Sequence, residues 1–385
     1  MNRSHNLKDK IQLNETMTTP MLAKKLSESF ITTKRDQTLP NLQPLPASPE
    51  SAGSITSGRD EDDASSPFPS GSIPPPDGSL NDLSAFEAAA EDIRTVLSTK
   101  GQISAAGISN IINRSNNVVA LTRKHFPAAM GSKEVLAKVK TTLRSFGANP
   151  SNMLSTYSVC PDEINHRDGQ IVDQFTKEFG GGKVFDLGGL AGVPFTGQTG
   201  WSAFSHHIPD GGHAFVFHAS HIGISNSLNL GEYTREGQKK DNSACGAAVG
   251  ALCHCVADKP LPNLADSPYD YQQNYLINEV HKCMGAIEDS YAASGEDENA
   301  KQAALARQTH RIGKDMLDEI VTTDFGCDKS MLFVLSGIQL NMPFDFEDFF
   351  EPLIFEVKKA DGTVIDLYEQ TFGCARTLRE QHSMA

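Results

Sequence analysis

An α/β fold, with a sheet of mixed strand direction flanked by helices, is the class this sequence predicts, and three observations carry it. Strand-like and helix-like stretches alternate through the middle of the chain. Residues 214–218 (AFVFH) form an apolar and aromatic run of strand length, bounded by Pro209-Asp210-Gly211-Gly212 before it and Gly223 after it. Near the C-terminus, LIFEVKK and VIDLY flank Asp361-Gly362, the turn chemistry of a β-hairpin.

The first eighty of the 385 residues differ from the rest. They hold ten of the twenty prolines, many serines and threonines, the acidic run Asp60-Glu61-Asp62-Asp63 and the triplet Pro74-Pro75-Pro76. Such a segment buries too little apolar surface to offset its ordering entropy, so residues 1–80 are expected to be a disordered tail. Residues 81–385 are then one domain with a single large core.

Within that domain, DLSAFEAAAEDIRTVL (82–97) has helical spacing, with Asn81 or Asp82 as cap and Gly101 as stop. Further helices are expected over 103–126 and 133–146. Residues 153–159 read as a short strand that stops at Cys160-Pro161. Proline is tolerated in a first helical turn, and Asp162 and Glu163 suit the positive end of a helix dipole. A helix over 170–179 ends at Gly180-Gly181-Gly182, and a strand over 183–186 follows. The glycine-rich passage 187–201 matches neither GxGxxG nor GxxxxGK[ST]. It predicts backbone in close approach at the sheet edge rather than a phosphate loop. Trp201 starts a helical turn leading to His206 and His207. Ser243-Ala244-Cys245 opens a small-residue helix over 246–256, whose Cys253 and Cys255 point to different faces and read as buried small thiols. Long helices are expected over 270–290 and 299–324, then a strand over 330–340 before the hairpin.

The net charge of -14, with no basic stripe, excludes a nucleic-acid binder. No apolar run approaches the ~20 residues that span a bilayer. The N-terminal stretch mixes acids with its lysines and lacks a continuous apolar signal region. Seven cysteines, an odd number spread over a long chain, do not form a disulfide framework. A reducing cytoplasmic or organellar compartment, plastid stroma included, is expected rather than secretion.

Five of the twelve histidines fall between Phe204 and Ser225. The strand there delivers His221 to the edge of a sheet, while Cys160 and Cys245 each stand where a turn passes into a helix. We read Cys160, His221 and Cys245 as converging on one zinc ion. Two thiolates and one imidazole leave an open fourth position, as in catalytic zinc sites. The spacings of 61 and 24 residues form no short motif. Asp162 either accepts a hydrogen bond from the zinc-bound water or takes the fourth position, and Arg167 in the same turn would hold that carboxylate. His206 and His207 are candidate proton shuttles, because imidazoles titrate near neutrality; a structural role for the pair stays open.

The segments SVCPDEIN, LGGLAGVPFTGQTGWSAFSHHIPD, HASHIGIS and SACGAAVGA together resemble the limiting-CO2-inducible protein B/C family, which includes theta-class carbonic anhydrases. The resemblance runs roughly from Ser84 to Ser383. It implies a β-carbonic-anhydrase-like fold, a homodimer, and zinc held by Cys160, His221 and Cys245. It also implies an Asp–Arg pair, with Asp162 as the acid. The β-class pattern places the arginine where Ile164 stands, so Arg167 is the nearest substitute and Arg235 a more distant one. The implied reaction is zinc-dependent reversible hydration of carbon dioxide to bicarbonate; a pocket lined by Phe185, Leu190, Val193 and Phe195 would suit that small apolar substrate. The alternative is a catalytically inactive zinc-binding homologue acting as scaffold or regulator in inorganic-carbon handling. A zinc deaminase is disfavoured because H-x-E and P-C-x-x-C are absent.

Overall fold

A computed structural model describes residues 105–373, except 183, 266–267, 323–329 and 344–345, with side chains from 113 onward. The chain divides into a unit Met1–Ser79 and a unit Leu80–Ala385. The tail expected over 1–80, the helix expected over 82–97, and Cys327 and Cys374 lie outside the described residues.

In chain order, helix α1 (Ala105–His125) precedes a two-residue strand β1 (Met130–Gly131), which runs directly into α2 (Ser132–Ser145). Strand β2 (Met153–Ser158) then leads through Cys160 and a short 3-10 turn (Glu163–His166) to α3 (Ile171–Phe179). Asp162 caps that turn. Strand β3 (Phe185–Asp186), α4 (Gly197–Ser205) and the central strand β4 (His213–Gly223) follow. A small ribbon, β5 (Glu232–Tyr233) with β6 (Asn242–Ser243), delivers the chain to α5 (Gly246–Val256). Next come α6 (Tyr271–Lys282), α7 (Met284–Ala293) and α8 (Glu298–Ile320). Strands β7 (Met331–Asn341), β8 (Phe349–Lys359) and β9 (Val364–Asp366) and the short α9 (Tyr368–Phe372) complete the described chain.

The seven-stranded sheet has the order β1-β8-β7-β4-β2-β3, with β9 added on β8. Strands β3, β2, β4 and β7 run parallel, whereas β8 is antiparallel to β7, β1 and β9, so the sheet is mixed as the sequence predicts. All eleven residues of β4 are buried, because helices cover both sides. Phe215, Phe217 and Ala219 share one core cluster with Val135 of α2, Phe175 of α3 and Phe372 of α9. Ala214 and Val216, on the opposite face, meet Trp201 and Phe204 of α4 and Leu317 of α8. Each such aromatic contributes about 1.5–3 kcal/mol by leaving water. At the other edge, Pro352 lies opposite Gly337 where the β7–β8 register shifts. A proline is tolerated inside a strand at such a bulge.

The helix expected over 270–290 is two helices. At Cys283 the backbone takes φ -99° and ψ 0°, which breaks the ladder between α6 and α7. Cys253 is exposed and Cys255 only partly buried, so neither is the buried small thiol the sequence suggested. Among the described residues, no helix is long and apolar enough to cross a membrane.

Candidate metal centre

Two parallel strands and one helix start bring three donors together. Strands β2 and β4 pair in parallel, with Ser158 beside His218, so Cys160 just beyond β2 and His221 on β4 emerge at the same C-terminal edge. The third donor arrives by a loop that folds back onto the strand. Gly231 N–H donates to the Gly223 carbonyl (3.0 Å), and Ala244 N–H donates to the Gly231 carbonyl (2.9 Å). A Cβ on Gly223 would stand 2.5 Å from the Ala244 Cβ, so only glycine lets the segment before Cys245 lie this close. Cys245 sits at the N-cap of α5 with φ 56° and ψ 60°, a left-handed conformation that costs a non-glycine residue of order 1–3 kcal/mol. A cysteine standing where glycine would be unstrained points to its thiol as the reason.

The two Sγ atoms and one imidazole nitrogen all lie within 4.8 Å of one another, and all three residues are buried. Tetrahedral zinc with ligands at 2.0–2.3 Å needs donors separated by about 3.8 Å or less, so the set closes around the ion with small adjustments. The Nε2 of His221 is buried without a hydrogen-bond partner. A divalent cation would satisfy it, and the thiolate–imidazole donor set suits zinc. Asp162 is not a member of the 4.8 Å group.

The electrostatics favour an anionic sulfur at Cys160. A hydrogen bond from Cys245, followed by the influence of the His221 imidazole, holds Cys160 down to about 4 in spite of burial. The hydrogen bond to Cys160 and burial keep Cys245 well above the usual thiol range. The pair thus shares one proton in the absence of a cation. Burial alone would lower His221, but the Cys160 sulfur beside it outweighs burial and raises the imidazole. The N-terminus of α5 adds its partial positive charge at Cys245.

The acid–base pair differs from expectation. Arg235 Nη2 donates to both oxygens of Asp162, at 2.9 and 3.2 Å, and its Nε donates to Glu163 at 2.6 Å. Arg235 Nη1 reaches the Ser243 carbonyl at 3.2 Å. Burial would raise the Asp162 carboxyl, but its side-chain interaction with Glu163, the charges of His221 and Arg235 and the hydrogen bond from Arg235 bring it below its ordinary value. Arg167, the nearer of the two candidates the sequence offered, donates instead to Asp348 at 2.6 Å and to the Ile164 carbonyl at 3.2 Å. The reason is direction: the 3-10 turn carries Arg167 back toward β7 and the segment before β8, whereas the β5–β6 ribbon folds Arg235 over Asp162. Tyr233 lies between the two guanidinium groups, 5.4 Å from Arg167 and 6.0 Å from Arg235.

A cleft of about 330 Å³ opens onto this corner, lined by Cys160, Asp162, Leu190, Arg235, Gly246 and Ala247 among others. Of the four residues expected to line it, Leu190 does so, while Val193 is buried beneath in the cluster that holds Cys160 and Cys245. Phe195 packs on Tyr275 of α6 (5.4 Å) and Phe185 on Phe204 (5.6 Å), and neither is among the residues that line the cleft. His206 and His207 are exposed at the end of α4. His207 stacks on Phe185, whose backbone is level with Thr156 and Val216. That level is five residues short of His221, roughly 16 Å along the strand. The structure therefore does not bring the expected proton shuttles to the cluster. The glycine-rich passage does what its reading predicts: a Cβ on Gly192 (φ +82°) would lie 2.1 Å from the Ala219 carbonyl oxygen.

Sequence reasoning also missed the residues behind His221. Gln339, Asn341 and Asp348 are fully buried polar groups, and His221 Nδ1 lies 2.9 Å from Asn341 Oδ1. The available signal was the polar alternation in IQLNM, where an apolar strand interrupts itself twice.

Residues 129–359 match the family model described as limiting CO2-inducible proteins B/C beta carbonic anhydrases. Among solved structures, PtLCIB4, a homolog of the limiting CO2-inducible protein LCIB, is 29% identical with a TM-score of 0.55, covering 64% of this chain and 98% of its own. A histidine-to-alanine mutant of PtLCIB4 is 27% identical with a TM-score of 0.57, covering 65% of this chain and 98% of its own. No curated protein matches.

Proposed function

The chain belongs to the limiting CO2-inducible protein B/C beta carbonic anhydrase family, and from that premise we propose that it catalyses the zinc-dependent, reversible hydration of carbon dioxide to bicarbonate. The observation that carries this reading is the Asp162–Arg235 pair, which holds a carboxylate beside the donor triad but outside it. A carboxylate so held leaves the fourth position free, as catalysis needs and a structural site does not.

Cys160, His221 and Cys245 would hold the ion. A zinc ion there would supply Lewis acidity, lowering the pKa of water toward neutrality and so furnishing a nucleophile near neutral pH. Asp162, kept ionised by Arg235, accepts a hydrogen bond from the attacking water and fixes its orientation. Leu190, Gly246 and Ala247 give the cleft an apolar wall against which carbon dioxide, small and uncharged, can rest. Arg235 stands at the same wall, where its charge favours the anionic product. The proton released leaves through the open mouth of the cleft to solvent and buffer. The homodimer implied by the family is supported by the apolar side chains left exposed around α5 and α6, Val256 and Tyr271 among them.

The decisive experiment is a stopped-flow pH-indicator assay of carbon dioxide hydration, with metal analysis, on wild type and Cys245→Ala. Hydration by the wild type alone, with one zinc per chain, supports the proposal. Equal rates in the two proteins overturn it, and one zinc per chain without hydration selects the scaffold reading.

A further inference from the structure

We propose that Asn341, clamped by Asp348 and Arg167, is the positioning residue that fixes the protonation pattern of His221 and thereby presents its Nε2 to the metal. This rests on the zinc reading above for its consequence, though not for its geometry.

The argument is one of hydrogen-bond inventory. Asn341 is fully buried at the end of β7, and its Nδ2 lies 3.3 Å from the Ile164 carbonyl oxygen and 3.3 Å from Asp348 Oδ2. The carbonyl oxygen can only accept, so the amide nitrogen must point that way. The amide oxygen is then turned toward His221, 2.9 Å from Nδ1. An amide oxygen has no proton to offer, so the hydrogen must sit on Nδ1 of the imidazole. Nε2, buried and unpartnered, is left as the nitrogen that faces the two thiols.

The clamp that holds Asn341 in this sense is itself pinned. Asp348 Oδ1 accepts from Arg167 Nη2 at 2.6 Å and from Met342 N–H at 3.0 Å, and its Oδ2 also accepts from Gln339 Nε2 at 3.1 Å. The backbone N–H of Asp348 donates to Gln170 Oε1 at 2.7 Å. Arg167 Nε donates to the Ile164 carbonyl at 3.2 Å. One guanidinium therefore secures both acceptors that orient the amide. Such partners of a ligating histidine fix its tautomer and aim, and their loss costs 10–100-fold in metal affinity.

The test has two arms. In protein labelled with 15N-histidine, long-range proton–nitrogen spectra report each ring nitrogen, and His221 is assigned by difference against His221→Gln. A protonated Nδ1 is expected in both metal-free and zinc-loaded protein. A bare Nδ1 beside a protonated Nε2, or Nδ1 on the metal, overturns the proposal. In the second arm, zinc affinity is measured by chelator competition. Asn341→Ala, shown to be folded by circular dichroism, is expected to bind zinc about 10–100-fold more weakly, and affinity equal to wild type overturns the proposal. Should Asn341→Ala not fold, the spectra of the wild type decide. Should the wild type hold no zinc, the metal reading fails while the metal-free spectra still judge the clamp.

Discussion

Replacing Arg235 with methionine keeps most of the side-chain stem and removes the guanidinium from Asp162. The Arg235 side chain is 18% exposed and that of Asp162 11%, so the pair is shielded rather than freely solvated. It makes two contacts to Asp162, at 2.9 and 3.2 Å, from a single nitrogen. Those contacts amount to one charge-assisted hydrogen bond, whose loss costs about 1.5–3 kcal/mol. If Asp162 orients the attacking water only while so held, that energy appears in the barrier. At 1.36 kcal/mol per decade, kcat/KM for hydration should fall between about tenfold and roughly 150-fold. The three donors are untouched, so zinc content should remain one per chain. Stopped-flow hydration and metal analysis on the same preparation read both quantities. A fully loaded variant within twofold of wild type would refute the role given to the pair. Loss of the metal would refute it too, because Arg235 would then be supporting the donors and not the water.

Zinc added at a hundred times its Kd should stabilise the fold by about 2.7 kcal/mol, seen as a rise of roughly 5–10 °C in Tm that Cys245→Ser abolishes; no shift in the wild type would count against the site. Gly223→Ala forces a methyl against Ala244 (2.5 Å) and the Glu232 carbonyl oxygen (2.7 Å). It should cost about 1–3 kcal/mol in urea unfolding and weaken zinc binding, since Ala244 adjoins Cys245; an unperturbed variant would show that the loop has other room. Burial raises Glu351 from 4.5 to about 7 against the opposing charge of Arg307. Its folded-state pKa exceeds its unfolded one, so its stabilising contribution is complete below pH 4.5 and is lost as the pH climbs through 7. Glu351→Gln mimics the protonated form and should gain on wild type by about 3 kcal/mol between pH 4.5 and pH 8, at 1.36 kcal/mol per unit. Parallel pH curves from urea unfolding would refute that.

Much of the fold is legible along the chain because its causes are local. The apolar run around Phe215 and Phe217, the Asp361-Gly362 turn and the spacing of Ile171, Phe175 and Phe179 each act within a few residues, and each stands where the sequence puts it. The break at Cys283 is not legible, because nothing in the helical spacing there marks the change in backbone angle. The convergence of Cys160, His221 and Cys245 is readable from turn and strand ends, together with the family resemblance.

What the tertiary structure alone decides is which groups answer one another across long separations. Asp162 meets Arg235 from 73 residues away, and His221 meets Asn341 from 120. For the first partner the sequence offered Arg167, nearer in the chain, ahead of Arg235, and it named none for the second. Proximity in sequence governs caps and turns. The parallel pairing of β4 with β7 sets Gly223 beside Asn341 and His221 beside Gln339. That register, fixed by the burial of both strand faces, chooses the partners of a buried polar atom.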